Sequence, residues 1–228
     1  MSSWQRLKNI LGGSGGNLVE WFDWFSYAAF SVYFASVFFP EGDQTTQFLK
    51  SAVVFGVGFI ARPLGAWLMG MYCDRAGRKA GLLLSIIMMC FGSLMIASTP
   101  GYAQIGVFAP VLLTLARIIQ GLSLGGEYGA SATYVSEMAG KSNRGLWSGV
   151  LYITLIGGQL LALGLLSLLQ FLMSPEALQS WGWRIPFVVG ALLAIVVLWM
   201  RRDMDETASY QAASKTEARR GSAMTLIG

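Results

Sequence analysis

The stretch SAVVFGVGFIARPLGAWLMGMYCDRAGRKAGLLLSIIMMCFGSLMIAST, residues 51–99, decides the fold of this chain. It contains two apolar runs, about 51–72 and 80–99, separated by a short segment with three basic residues. Roughly 20 apolar helical residues are needed to cross the hydrocarbon core of a bilayer, which is about 30 Å thick. The stretch therefore predicts two membrane-spanning helices joined by a basic loop.

The composition of the whole chain is that of a membrane protein. Of its 228 residues, 54% are apolar and 12% are charged, whereas about a quarter of the residues of a soluble domain are charged. The absence of histidine excludes histidine-dependent catalysis, histidine proton relays and histidine-ligated metals. The two cysteines, Cys73 and Cys90, match no metal-binding spacing. The net charge of +4 is dispersed along the chain, so no nucleic-acid partner is expected.

Polar segments divide the rest of the sequence into further apolar runs of similar length. The chain is therefore predicted to be an all-α integral membrane protein, a bundle of six transmembrane helices. The predicted spans are about 10–39, 51–72, 80–99, 105–138, 146–172 and 185–200. Residues 1–9 are predicted to form a cytoplasmic N-terminus, and residues 201–228 a cytoplasmic linker.

The orientation of these spans follows from the basic residues in the loops. Lysine and arginine precede the first span and follow the second, fourth and sixth, whereas the opposite loops carry mainly acidic or uncharged residues. Because basic loops stay on the cytoplasmic side, these ends are predicted to face the cytoplasm. An even number of spans then places both termini there.

Charged side chains inside the spans indicate a binding site. They are Glu20, Asp23, Arg62, Arg117 and Glu127. A single charge at the bilayer centre costs about 2.5–3.5 kcal/mol on insertion scales, so each must face protein or water. Asp23 and Arg117 lie near the middles of the first and fourth spans, where they can pair, and Arg62 lies near the middle of the second.

Polar residues at helical spacing extend these charges into stripes. The fourth span carries Arg117, Gln120, Leu124, Glu127, Ser131 and Tyr134, and the first carries Asn17, Glu20, Asp23, Trp24, Tyr27 and Ser31. The fifth span adds Tyr152 and Gln159. We predict that these stripes line a wet cavity, with the uncharged third and sixth spans outside as lipid-facing supports. For Gln120, Gln159 and Ser131, hydrogen bonds that hold helices together explain the pattern equally well.

The loop GMYCDRAGRK, residues 70–79, resembles the loop between the second and third helices of major facilitator superfamily transporters. A second loop, EMAGKSNRG at residues 137–145, resembles the repeat of that motif. The resemblance implies a cytoplasmic gate formed by Asp74, Arg75, Gly77, Arg78, Lys79, Glu137 and Arg144. In this hypothesis Glu137 pairs with Arg78 and Asp74 pairs with Arg144. The alternative is a set of solvated, unpaired loop charges.

Four further segments resemble the metabolite:proton symporter branch of this superfamily. They are GNLVEWFD at 16–23, ARPLG at 61–65, ARIIQGLSLGGEYG at 116–129 and WGWRIPF at 181–187. The resemblance implies the N-terminal half of such a transporter, with a 3+3 inverted repeat, in the cell inner membrane. Transporters of this kind have two six-helix halves, so we expect a C-terminal half as partner. We favour a fragment or a truncated gene over self-association, which would pair two identical cation-rich cavities.

The hypothesis for function is proton-coupled import of a dicarboxylate such as alpha-ketoglutarate by alternating access. Protons are the coupling ion, and no other cofactor or metal is expected. Substrate binding is assigned to Arg62, Arg117, Tyr27, Gln120, Tyr152 and Gln159. Proton coupling is assigned to Asp23 paired with Arg117, with Glu20 and Glu127 as alternates. Arginine suits the substrate because its planar fork of donors matches a carboxylate.

Other functions stay open from the sequence alone. The substrate can be another carboxylate or a zwitterion, since relatives with these motifs carry citrate, shikimate, proline or betaine. A non-transporting half-protein or a metabolite sensor would use the same residues. A membrane enzyme is not expected, because no catalytic constellation is visible.

Overall fold

The computed structural model describes residues 3–138 and 144–202. Side chains are described at positions 12, 14–127, 131, 149 and 152–202. The predicted linker beyond residue 202 and the gate side chains of Glu137 and Arg144 lie outside the described residues.

All regular structure in the described residues is helical, which confirms the predicted all-α class. Six long helices correspond in order to the six predicted spans. The elements are α1 (Ser3–Phe38), α2 (Gln44–Ala76), α3 (Arg78–Ser98), α4 (Tyr102–Ile105), α5 (Phe108–Met138), α6 (Arg144–Leu172), α7 (Pro175–Ser180), a short 3-10 turn (Gly182–Arg184) and α8 (Ile185–Arg202).

The helix ends differ from the predicted ends where capping or a glycine decides them. α2 begins seven residues before the predicted start of its span, because the Asp43 side chain caps it by accepting a 2.9 Å hydrogen bond from the Thr46 backbone N–H. The hydrogen bonds from Thr46 hold the pKa of Asp43 below its usual value. The predicted fourth span is interrupted at Gly106, whose φ of +58° ends α4 before α5 begins.

Five helical segments of the described chain are long and apolar enough to cross a membrane, and α1 is not among them. At 36 residues α1 is long enough, but polar and charged residues such as Asn17, Glu20 and Asp23 interrupt its apolar sequence. The stripe is buried, since Asn17, Glu20, Asp23 and Ser26 are each at most 1% exposed. α1 therefore lies within the bundle, where other helices rather than lipid meet its polar side chains.

The helix pairing has the pattern of a 3+3 repeat. α2 packs most extensively on α5, α6 packs on α1, and α3 packs on both α5 and α8. In a 3+3 repeat, α1, α2 and α3 correspond to α5, α6 and α8 in that order. Under this correspondence the α2–α5 contact is equivalent to the α6–α1 contact, and the α3–α5 contact is equivalent to the α8–α1 contact. Both of these contacts are present, and the α3–α8 contact maps onto itself.

Glycines allow α2 and α5 to approach each other closely. A Cβ at Gly65 would collide with the backbone of Leu122, and one at Gly125 would collide with the Arg62 carbonyl. Small residues let transmembrane helix backbones approach in this way. The approach positions Arg62 on α2 beside the polar stripe of α5.

The third helix differs from its predicted place as an outer support. More of α3 is buried than of any other apolar span in the described chain, while α6 and α2 are the most exposed. The reason is that α3 directs serines inward, and Ser85 and Ser93 are fully buried and hydrogen-bonded to carboxylates of α5 and α1. A search for charged residues alone overlooks such a face.

Candidate functional site

A buried ion pair between α1 and α5 forms the centre of the candidate site. Arg117 donates a hydrogen bond from Nη1 to Asp23 Oδ2 at 3.0 Å, and neither side chain is exposed. Their positions near the middles of the first and fourth predicted spans indicated that these two residues can pair, and the structure brings them together. An ion pair removed from water in this way requires further hydrogen bonds to offset its desolvation.

Ser93 and Gln120 supply those hydrogen bonds. Ser93 donates to Asp23 Oδ1 at 2.6 Å, Gln120 Nε2 donates to Ser93 Oγ at 3.1 Å, and Arg117 Nη1 also donates to Gln120 Oε1. Both oxygens of Asp23 therefore have donors. Ser93 was not predicted, because a serine in an apolar run carries little signal.

The guanidinium of Arg117 is held between aromatic rings. Its Cζ lies 4.2 Å from the centroid of the Trp24 ring and 4.4 Å from that of Tyr27. Its Nε and Nη2 have no hydrogen-bond partner among the described residues. The Tyr27 hydroxyl donates to the Ser51 carbonyl at 3.1 Å, so Tyr27 presents its ring and not its hydroxyl to Arg117.

Arg62 has a similar aromatic surrounding but lies at the edge of the bundle. Its Cζ is 4.0 Å from the centroid of Phe59, 4.3 Å from Trp24 and 5.7 Å from Trp21. Its Nε and Nη2 are buried and have no hydrogen-bond partner among the described residues. Contact with an aromatic face stabilises the cation but leaves these N–H groups unsatisfied.

A cavity of about 530 Å³ lies against Arg62, between α1, α2 and α5. This volume falls in the range of small-molecule sites, roughly 300–1,000 Å³. Its lining residues are Trp21, Phe59, Arg62, Pro63, Ala66, Leu124 and Gly125. Arg62 is the single charged residue among the described residues of this lining.

The predicted chamber shared by all the charged residues is thus divided into two layers. Arg62 lines the cavity, whereas Asp23, Arg117, Gln120 and Tyr27 are buried behind it. Trp24 separates the layers, since its ring lies against both guanidinium groups.

The two predicted residues of α6 lie elsewhere. Tyr152 is 66% exposed, Gln159 is half-buried, and neither belongs to the lining of the Arg62 cavity. Their assignment to substrate binding stays a prediction.

Glu20 is a second buried carboxylate of α1. It is 1% exposed, and its Oε2 has no hydrogen-bond partner among the described residues. Its Oε1 lies 3.3 Å from the Ser123 hydroxyl, which also donates to the Ser85 carbonyl at 2.7 Å. Among the described residues, Glu20 therefore has no ion pair and one donor, the Ser123 hydroxyl, whereas both oxygens of Asp23 have donors.

Glu127 is paired with Arg201, a residue that the sequence assigned to the linker. Both side chains are buried, and Arg201 contacts both carboxylate oxygens, with 3.0 Å between Nη1 and Oε2. Arg201 Nε donates to the Gly12 carbonyl at 3.0 Å, and Nη1 donates to the Leu82 carbonyl. Ser85 and Ser131 donate to the same carboxylate.

The linker assignment of Arg201 is corrected by this burial. Arg201 lies in the last turn of α8, four residues after Val197, and it continues the buried face of that helix. That face is formed by Ala191, Ala194 and Val197. The helical spacing of this face predicts that Arg201 points inward and Arg202 outward, whereas the positive-inside rule does not distinguish the two residues.

Contacts between neighbouring residues hold the basic loop between α2 and α3. Arg78 and Asp74 form a 3.1 Å ion pair across Gly77, and Lys79 donates to the Arg202 carbonyl at 2.7 Å. Gly77 has a φ of +106°, which favours glycine at this junction. The predicted pairs with Glu137 and Arg144 lie outside the described residues.

Comparison with known proteins places this site in a family context. The family described as "Sugar (and other) transporter" matches residues 9–226. The chain is 55% identical over 214 residues to alpha-ketoglutarate permease of Escherichia coli (strain K12), covering 94% of this chain and 50% of the permease. It is 38% identical over 212 residues to the shikimate transporter of the same organism, covering 90% of this chain and 48% of that protein. It is 33% identical over 226 residues to a citrate-proton symporter of Klebsiella pneumoniae, covering 97% and 50%.

The chain spans about half the length of the curated relatives it matches. Solved structures show the same relationship. The xylose transporter XylE from E. coli, in a partially occluded inward-open conformation, matches with a TM-score of 0.83 at 19% identity, over 93% of this chain and 51% of XylE. At this identity the likeness concerns the fold, which is that of one half of such a transporter.

Proposed function

Because the chain belongs to the sugar (and other) transporter family of the major facilitator superfamily, we propose that it forms the N-terminal half of a proton-coupled importer of a dicarboxylate such as alpha-ketoglutarate. The family and the fold are those of transporters and not of enzymes, as the sequence predicted. The proposed substrate is supported by the identity to alpha-ketoglutarate permease and by the chemistry of Arg62.

The observation that carries the proposal is the free edge of Arg62. Nε and Nη2 lie on the same edge of a guanidinium, and in Arg62 both are buried without a hydrogen-bond partner in the part of the chain that the structure describes. A carboxylate satisfies two such N–H groups at once, in the bidentate geometry that arginine favours. Arg62 is the single cation among the described residues that line a cavity of about 530 Å³, and it can bind one carboxylate of a small substrate.

The aromatic surrounding favours an anion over a quaternary ammonium group. Aromatic rings recognise cations such as betaine by enclosing them. Here Phe59, Trp24 and Trp21 already contact the guanidinium of Arg62. The same site therefore suits a carboxylate. Citrate and shikimate remain alternatives to alpha-ketoglutarate, because both carry one.

Proton coupling is proposed for the pair formed by Asp23 and Arg117, with Glu20 and Glu127 as alternates. In the structure the pair is buried, and Trp24 separates it from the cavity. An anion or water that reaches Arg117 during the transport cycle would weaken its hold on Asp23, and the carboxylate would then take up a proton. Substrate and proton would cross together.

The proposed partner is a second six-helix half in the cell inner membrane, with both termini of this chain on the cytoplasmic side. Alternating access requires two halves that move about a site at their interface. The Arg62 cavity and the exposed faces of α2 and α6 are the surfaces that such a half would meet. The loop residues Asp74, Arg75, Gly77, Arg78 and Lys79 would form the cytoplasmic gate.

Counterflow in proteoliposomes tests the proposal. Vesicles that contain the complete two-half transporter are loaded with one unlabelled compound, and the entry of labelled alpha-ketoglutarate is measured. We expect exchange with dicarboxylates, weaker exchange with shikimate, and none with proline or betaine. Exchange with the zwitterions alone would contradict the proposal, and the absence of any exchange would favour a non-transporting half or a sensor.

A further inference from the structure

Two arginines from different helices lie against the same indole ring. The Cζ atom of Arg62 on α2 is 4.3 Å from the centroid of the Trp24 ring on α1, and the Cζ atom of Arg117 on α5 is 4.2 Å from it. The two guanidinium carbons therefore cannot be farther apart than the sum of these distances. Like charges repel each other at this range, so an anion that contacts both is favoured.

The two guanidinium groups also have the same open edge. In each of them Nε and Nη2 are buried and have no hydrogen-bond partner among the described residues. Arg117 contacts Asp23 through Nη1, so its other edge stays available while that ion pair is intact. A carboxylate satisfies such an edge with two parallel hydrogen bonds of about 2.7–2.9 Å. The two arginines therefore offer two carboxylate sites, one in each layer of the candidate site.

Trp24, which separates the layers, is held by ring contacts. Its ring packs edge-on against Phe55 and Phe59, at centroid distances of 4.9 Å and 4.5 Å, and a Cβ at Gly58 would lie 2.8 Å from its Cη2. Its indole N–H is buried and has no hydrogen-bond partner in the described part of the chain. A rotation of the ring therefore breaks no hydrogen bond of the indole. The cavity of about 530 Å³ that Phe59 and Arg62 line gives the ring room to move.

We propose that Trp24 is a movable partition between two carboxylate sites, and that a dicarboxylate displaces the ring and bridges Arg62 and Arg117. One carboxylate binds Arg62 from the cavity, and the other reaches Arg117 once the ring has moved. A monocarboxylate occupies the Arg62 site alone and leaves the partition in place. The inference deepens the proposed function and rests on it, because it takes Arg62 as the first carboxylate-binding group.

The separation of the two arginines fits a short dicarboxylate. In alpha-ketoglutarate three carbon atoms join the two carboxylates, and each ion pair adds an N–O distance of about 2.7–2.9 Å. A molecule of this length spans two guanidinium groups that contact one ring. Citrate also carries carboxylates at a comparable spacing, whereas shikimate carries one carboxylate and cannot form both ion pairs.

Equilibrium binding of two ligands tests the bridge. Alpha-ketoglutarate and 2-oxopentanoate have the same carbon chain and keto group, but 2-oxopentanoate ends in a methyl group instead of the second carboxylate. The Kd of each is measured by calorimetry with the complete two-half transporter. We expect the unmodified protein to bind alpha-ketoglutarate about tenfold or more tightly, because hydrogen bonds between charged groups stabilise its complex.

Removing Arg117 together with Asp23 separates the two sites. The variant Asp23→Asn/Arg117→Gln leaves neither partner as an unpaired buried charge, which favours folding. We expect its preference for alpha-ketoglutarate to fall about tenfold at an unchanged Kd for 2-oxopentanoate. Asp74→Asn/Arg78→Gln removes a partly exposed ion pair and is the matched control, which should keep the full preference. A preference that survives in Asp23→Asn/Arg117→Gln would overturn the inference, whereas unchanged binding of both ligands in Arg62→Gln would refute the proposed function.

The rate of association tests the movement of Trp24. In stopped-flow fluorescence with the unmodified transporter, alpha-ketoglutarate should associate more slowly than 2-oxopentanoate, because the ring has to move before the second carboxylate binds. Trp24→Leu should remove this difference. Trp21→Leu is the control, since Trp21 lies 5.7 Å from Arg62 Cζ on the cavity side, and it should change the rates of both ligands alike. A difference in rate that persists in Trp24→Leu would contradict the partition.

Discussion

Arg117 on α5 and Asp23 on α1 form a 3.0 Å ion pair in which neither side chain is exposed. The pair is satisfied as an ion pair, with Ser93 on one carboxylate oxygen and Arg117 on the other. In both Arg117 and Arg62, Nε and Nη2 have no hydrogen-bond partner among the described residues, but only Arg62 of the two lines the cavity. The two arginines therefore differ in their surroundings, since Arg117 holds α5 to the Asp23 carboxylate of α1 and Arg62 lies beside a cavity.

Neutralising Asp23 is expected to separate binding from coupling. In Asp23→Asn, uptake driven by a pH gradient should stop, while counterflow, which needs no net proton movement, should continue. Uptake and counterflow in proteoliposomes measure the two directly. Asp43→Asn is the matched control, because asparagine also caps a helix N-terminus and Asp43 lies outside the spans. Accumulation of substrate by Asp23→Asn against its gradient would refute the coupling role.

Removing Arg201 is expected to destabilise the bundle strongly. Arg201→Met leaves Glu127 as a buried charge without its partner, and such changes cost about 3–5 kcal/mol. Thermal unfolding in detergent measures the loss. The exposed neighbour provides the control, and Arg202→Met should unfold close to the unmodified protein.

The double variant Glu127→Gln/Arg201→Met extends this prediction. With the buried charge removed as well, we expect it to be more stable than Arg201→Met alone. If the stability lost in the double variant equals the sum of the losses in Glu127→Gln and Arg201→Met, the two residues of the buried pair are not energetically coupled.

The contact between α2 and α5 is expected to tolerate no side chain at Gly65. Gly65→Ala would push a methyl group into the Leu122 backbone, and overpacking of this kind costs about 1–3 kcal/mol. Gly56 lies on the same helix with open space around it, so Gly56→Ala should be neutral or slightly stabilising. Equal unfolding temperatures for both variants would contradict the close approach.

The loop between α2 and α3 is expected to control the transport rate and not substrate affinity. Asp74→Lys replaces the 3.1 Å pair with Arg78 by a repulsion next to the junction glycine. We predict a slower initial rate of uptake at an unchanged Kd. The same reversal at Glu176, in the first turn of α7, is the control. An unchanged rate in Asp74→Lys would argue against a gate at this loop.

Much of this arrangement could be predicted from the sequence, and the remainder shows where pattern reading ends. The depth of Asp23 and Arg117 in their spans was sufficient to predict that they can pair, and the helical spacing on α5 predicted the polar stripe. The position of Arg117 behind Trp24, away from the cavity, depends on how α1, α2 and α5 pack together. No single helix contains that information.

Small residues account for the largest gaps. Ser93 and Ser123 contact buried carboxylates, yet each is one hydroxyl in an apolar run. Arg201 resembled a loop cation because it ends a span, and only the buried face of α8 distinguishes it from Arg202. α1 is not apolar enough to be recognised as a span from hydropathy. Its polar groups are tolerated because they meet other helices and not lipid.

Substrate binding to Arg62 variants of the complete transporter tests the central claim most directly. Calorimetric titration with alpha-ketoglutarate is compared for the unmodified protein, Arg62→Gln and the exposed control Arg202→Gln. Hydrogen bonds to charged groups contribute about 1.5–3 kcal/mol, so Arg62→Gln should weaken binding by about tenfold or more. Arg202→Gln should bind as the unmodified protein does. An Arg62→Gln transporter that binds the dicarboxylate with undiminished affinity would contradict the account.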